Sequence, residues 1–131
     1  MPGDLDETFD ALKKIIDKYA SGLNTAERLP GSTAKENKKS FHLTGKKEVS
    51  ILGRKPQKTY IAGIILHPKS VGFYHMPVYS HPKEFALSPS LEIKRSGKSC
   101  FQVKSQEPAI FSELEALLAK GIEIYKRDGW I

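Results

Sequence analysis

KTYIAGIILHPKSVGFYHM, residues 58–76, decides the architecture of this chain. Two apolar, β-branched and aromatic runs flank HPKS, and Pro68 suits the second position of a type I turn. The stretch is therefore a hairpin. If Leu66 pairs with Val71, then Ile64 faces Phe73 and Ala62 faces His75 on one side. The other side carries Ile61, Gly63, Ile65, Gly72, Tyr74 and Met76. Both sides are apolar enough to predict the centre of a sheet with cover on each face.

Outward from the hairpin, KSCFQVK (98–104) alternates cleanly. Phe101 and Val103 point one way, and Lys98, Cys100, Gln102 and Lys104 the other. FHLTG and VSIL read as short strands around a turn at Gly45. Pro82 and Pro89 suit the first turns of two short helical pieces ending near Gly97.

The ends are helical. Leu5, Phe9, Leu12, Ile16, Tyr19 and Leu23 recur at helical spacing, with Asp4 and Glu7 resembling a capping box and Gly22 as the stop. Pro108 opens a second long helix with Phe111, Leu114, Leu118, Ile122 and Tyr125 on one face and Gly129 at its close.

The expectation is one α+β domain over residues 1–131, a mostly antiparallel sheet packed by N- and C-terminal helices. Its parts are an N-terminal helix (4–21), a polar loop (24–40), a sheet with short helices (41–104) and a C-terminal helix (108–128).

Composition narrows the class. The chain has 131 residues, 39% hydrophobic and 27% charged, with one cysteine. That is ordinary for a globular domain. No apolar run approaches the roughly 20 residues that cross a bilayer. The acidic start MPGDLDETFD lacks a signal-peptide layout, and a lone cysteine gives no disulfide framework. A cytoplasmic protein without a membrane partner is expected, as monomer or homodimer.

The net charge of +6 is concentrated between residues 35 and 58, where Lys46, Lys47, Arg54, Lys55 and Lys58 stand out. Such a segment either solvates the surface or recruits phosphate or nucleic acid. No P-loop or dinucleotide glycine pattern is present.

Four histidines invite a metal reading: His42, His67, His75 and His81. His67 at the turn and His75 at the far strand end are separated by on the order of 17 Å and cannot share an ion. A hydrogen-bonded histidine at the sheet's end is the plainer reading of His75. Asp4, Asp6, Glu7 and Asp10 offer hard oxygen ligands, or else simple capping of the first helix. Cys100 shares a strand face with Lys98 and Lys104, whose charges would lower its pKa toward a reactive thiolate. A buried, inert thiol is the alternative.

The segments GRKPQKTYIAGIILHPKSVGFYHMPVYSHP, GKSCFQVK and the closing YKRDGWI resemble the YdhG-like family of domains of unknown function. The matching motifs are Tyr60–Gly63, Val71–Tyr79, Gly97–Phe101 and Gly129–Trp130. The resemblance spans roughly residues 40–131 and implies a small cytoplasmic α+β domain. Some members resemble frataxin and are described as intracellular iron chaperones, a role that relies on an acidic helical ridge.

The functional expectation is a binding protein for iron or another small ligand, held on the sheet near His75, Tyr79, Lys98 and Cys100. Two alternatives accompany it. One is a nucleic-acid or phosphate surface on the basic 35–58 segment. The other is a thiol enzyme using Cys100.

Overall fold

The computed structural model describes residues 2–27, 39–50, 53 and 55–131, with the side chains of residues 2–4 and 57 outside the description. The element order is α1 (Pro2–Lys18), β1 (Asn24–Ala26), β2 (Ser40–Val49), β3 (Gln57–Leu66), β4 (Val71–His75) and α2 (Met76–Ser80). A single 3-10 turn (Pro82–Glu84) follows, then α3 (Pro89–Lys94), β5 (Arg95–Ser96), β6 (Cys100–Val103) and α4 (Pro108–Arg127). The strands form one antiparallel six-stranded sheet in the order β1-β2-β3-β4-β6-β5. This is the expected α+β architecture, with the hairpin β3–β4 at its centre.

The hairpin register is the one that side-chain alternation dictates: Leu66 faces Val71, Ile64 faces Phe73 and Ala62 faces His75. Phe101 and Val103 of β6 continue that face opposite Phe73 and Val71, and Phe41 and Leu43 of β2 continue it opposite Ile64 and Ala62. Against it pack Phe9, Leu12 and Ile16 of α1 with Leu114, Leu118, Ile122 and Tyr125 of α4. Phe73, Phe101, Leu12 and Leu114 are completely buried. Each such side chain contributes about 1.5–3 kcal/mol through removal of its surface from water.

Four local expectations are corrected. Ala62 faces Leu43 while Tyr60 faces Thr44, so Ile61 is the extra residue of a β-bulge. The bulge reverses the alternation beyond it. Ile61 joins the fully buried core, and Tyr60 moves to the opposite face, beside His42.

Gly45 does not make a turn. It lies inside one continuous strand, β2, where a Cβ would come within 2.7 Å of Ile131 Cγ2 at the other end of the chain. Glycine there permits close approach rather than chain reversal. Residues 51 and 52, which completed the second expected strand, lie outside the described residues.

The first helix begins at Pro2 and ends at Lys18. Asp4 therefore falls within it, not at a cap before it, because proline at the start needs no N–H partner. Short-range bonds from Tyr19 N–H to Ile16 and from Ala20 N–H to Asp17 tighten the exit toward Gly22 at φ +77°. Part of the expected polar loop, Asn24–Ala26, is the edge strand β1, while residues 28–38 lie outside the description.

A polar clamp fixes the end of α4. His81 Nε2–H donates to Asp128 Oδ2 at 2.6 Å, its Nδ1 meets Ser80 Oγ at 2.8 Å, and Ser80 Oγ lies 2.8 Å from Tyr125 Oη. Arg127 forks onto Glu84 at 2.9 and 2.8 Å. Arg127 and then His81 hold the Asp128 carboxyl below the usual carboxylate range. The Trp130 ring closes over His81, 5.1 Å between centroids. No described helix is long and apolar enough to cross a membrane.

Candidate ligand-binding face

The helix-covered face takes Phe73 and His75 from β4, so strand alternation sends Gly72 and Tyr74 to the other side. There Tyr74 faces Gly63 and Cys100, and Gly72 faces Ile65 and Gln102. His42, opposite Gly63, joins them from β2. Tyr60 arrives through the bulge. The result is a band of neutral polar and aromatic groups across the middle four strands.

Two glycines make room for the rings. A Cβ at Gly63 would run into Tyr60 Oη and His42 Nδ1. A Cβ at Gly72 would stand 3.0 Å from Tyr74 Cε1 and 3.1 Å from His67 Nε2. Each glycine thus lies under one tyrosine–histidine pair. His42 Nδ1 and Tyr60 Oη are 2.8 Å apart, and His67 Nε2 and Tyr74 Oη are 3.3 Å apart.

Burial favours the uncharged forms of His42 and Tyr60. It lowers the pKa of His42, which is only 1% exposed. It raises that of Tyr60, helped by the nearby Tyr74 and Cys100. Gln102 Nε2 donates to Cys100 Sγ at 3.4 Å, and Gln102 Oε1 accepts from Ser70 Oγ. One atom of the band has no answer: His42 Nε2 is buried without a hydrogen-bond partner among the described residues. Such groups are uncommon in folded proteins and mark places where something else can bind.

The expected activation of Cys100 by lysines is corrected. Burial raises its pKa, and a hydrogen bond from Tyr74 offsets this only in part. Lys98 instead reaches over the Tyr79 ring, 5.8 Å from its centroid, and Lys104 is exposed beyond the strand. Desolvation of the thiolate outweighs the distant cations.

The four residues expected to share a ligand do not converge. His75 and Cys100 lie on opposite faces of the sheet, and Tyr79 (52% exposed) with Lys98 forms a surface pair. His75 is fully buried. Its Nδ1 accepts from Val78 N–H at 3.1 Å, capping α2, and its Nε2–H donates to the Leu117 carbonyl at 2.7 Å. Burial depresses its pKa to about 4. With both ring nitrogens occupied, it has none left for a ligand.

The acidic candidates Asp6, Glu7 and Asp10 are exposed along α1, and the Asp4 side chain lies outside the description. Lys39 Nζ approaches Asp10 at 3.3 Å and Asp6 at 4.0 Å. Among the described residues, no three His, Cys, Asp or Glu side chains gather as a metal site. Of the basic candidates, Lys46, Lys47, Lys55 and Lys58 are exposed on the β2–β3 ribbon and Lys58 faces Glu48. Arg54 lies outside the described residues.

Sequence reasoning placed Cys100 and Gln102 on their face but did not gather His42, Tyr60, Gly63, Gly72 and Tyr74 into a site. The available signal was the pair of glycines in the central hairpin, Gly63 three residues after Tyr60 and Gly72 beside Phe73. What fold and face define together is a small α+β domain with an apolar, helix-clad side and a neutral polar side. Comparison of the chain with protein-family models, with curated proteins and with solved structures finds no match.

Proposed function

We propose that this chain is a non-enzymatic small-ligand-binding protein of the YdhG-like type, and that its ligand occupies the polar face of the sheet around His42, Tyr60, Tyr74 and Cys100. The observation that carries the proposal is His42 Nε2, buried and without a partner among the described residues, beside groups that bond one another. A ligand that answers this atom gains a hydrogen bond that folding alone leaves unmade. The protonated, buried state of Cys100 favours binding over nucleophilic attack.

The polar face also directs the reading away from iron. Hard cations need several anionic oxygens, and His42, Tyr60, Tyr74, Cys100 and Gln102 offer no carboxylate. The test is a small-molecule fragment screen read by backbone amide NMR. Binding at this face shifts the amides of Gly63, Gly72 and Cys100 together. Shifts confined to the basic ribbon, or to α1 with ferrous iron, would move the function there and end this proposal.

A further inference from the structure

The excess charge of this chain is gathered at one place. Eight of its 21 lysines and arginines, but only two of its 15 acids, lie between residues 35 and 58. Subtracting them leaves 13 cations and 13 acids elsewhere, so the rest of the chain is neutral. Part of that segment is the ribbon formed where β2 and β3 run on past Thr44 and Tyr60. Lys46, Lys47, Lys55 and Lys58 stand on it, all exposed.

Neither side of the ribbon is covered. Successive residues of a strand point to opposite faces, and Lys46, Lys47 and Glu48 are exposed in succession. The pairing is loose as well. Thr44 faces Tyr60 and Glu48 faces Lys58, so residues 45–47 of β2 stand against Thr59 alone. A two-stranded ribbon exposed on both sides is marginal by itself, and lysines crowded on it repel one another. Elsewhere cations meet carboxylates, as Lys18 meets Glu115, Lys94 meets Glu107 and Arg127 meets Glu84. On the ribbon only Glu48, opposite Lys58, offsets the charge.

We propose that this ribbon is a contact surface for duplex DNA, lying in the major groove with its lysines on the flanking phosphates. Two paired strands are about 4.8 Å apart, and the B-form major groove, about 12 Å wide, admits a two-stranded ribbon. Groove walls reach both sides of a ribbon, whereas a flat anionic bilayer reaches one. The corresponding groove of A-form RNA is too narrow. Single strands are held by bases stacked on aromatic rings, and residues 46–58 contain none. Lysine meets phosphate as a point charge, so binding is independent of base sequence.

The test uses the full chain and a short fluorescein-labelled duplex of mixed sequence, read by anisotropy over a range of salt. Between about 50 and 200 mM salt the affinity should fall on the order of 100-fold, the release of counterions from four phosphates. Lys46→Gln combined with Lys47→Gln should cut the slope of log affinity against log salt by about half. Lys69→Gln combined with Lys104→Gln removes the same charge from exposed positions at the other end of the sheet. That pair should leave the slope unchanged. All four side chains are exposed, so folding does not hinge on them.

Equal weakening by the two pairs would mean that net charge alone attracts the duplex, and the ribbon assignment falls. A single strand or polyglutamate bound as tightly as the duplex overturns the groove fit. Phosphatidylserine vesicles bound in place of the duplex turn the ribbon toward a membrane and overturn the proposal as well. No anisotropy change even at the lowest salt ends it outright. The polar-face reading is tested separately, by the fragment shifts at Gly63, Gly72 and Cys100.

Discussion

The two sides of this sheet are built from the same strands by opposite means. The helix-covered side fills space with large apolar groups such as Phe73, Phe101 and Ile64, all fully buried. The other side empties space with Gly63 and Gly72, then lays histidine and tyrosine rings across the bare backbone. On the first side even the histidine is consumed by the fold, since His75 caps α2 and ties it to α4. On the second, His42 keeps one ring nitrogen unanswered. Packing without gaps supports stability, whereas an unmet polar group is a cost that a binding partner can relieve.

The contrast can be broken most forcefully on the helix side. Phe73→Ala should cost about 3–5 kcal/mol in urea unfolding, because it opens a cavity at the centre of the core. A loss well under 1 kcal/mol would mean that the helices do not pack on this side as described.

The next effect is one of pH. His75 titrates near 4 in the folded chain and near the ordinary 6.5 when unfolded. The unfolded state therefore binds the extra proton first as pH falls. Stability from this group is full above about pH 6.5, declines between 6.5 and 4, and is level below; the span amounts to about 3 kcal/mol. Burial of His42 acts with the same sign. Unfolding free energies measured across this range should flatten markedly in His75→Ala, and an unchanged slope would remove His75 as its source.

On the polar side the effects are smaller and graded. Gly63→Ala drives a methyl group into the His42–Tyr60 pair and should cost about 1–3 kcal/mol. Gly72→Ala meets ring edges at 3.0 Å and should cost less, because a ring can tilt. The reverse order in thermal melts would show that the rings do not lie where they are described. Smallest of all, Arg127→Ala removes an exposed fork onto Glu84 and should leave the melting temperature essentially unmoved.

The sheet's centre was legible because period-two alternation fixes register wherever one side must be apolar. The pairs Ala62–His75 and Ile64–Phe73 follow from that rule alone. The bulge at Ile61 was not legible. Alternation assigns Ile61 to the polar side, and only the pairing with β2 shows that Tyr60 stands there instead. Gly45 illustrates the same limit: glycine within a polar stretch signals a turn locally, while its actual neighbour, Ile131, lies at the chain's other end.

The candidate site was half legible for the same reason. Cys100 and Gln102 were placed by their own strand, but His42 and Tyr60 meet only through a cross-strand register that carries a bulge. The thiol's protonation also depended on how deeply the strand is buried, which the number of nearby lysines does not reveal.

The most direct test of the division between the two sides measures urea unfolding and the fragment-induced amide shifts of Gly63, Gly72 and Cys100 on one preparation of His42→Phe. The shifts should be lost while the chain keeps most of its stability, because the variant removes a polar atom that the described residues leave unpartnered. A loss of stability as large as that of Phe73→Ala, with the shifts retained, would make the polar side a second core and contradict its role as the binding face.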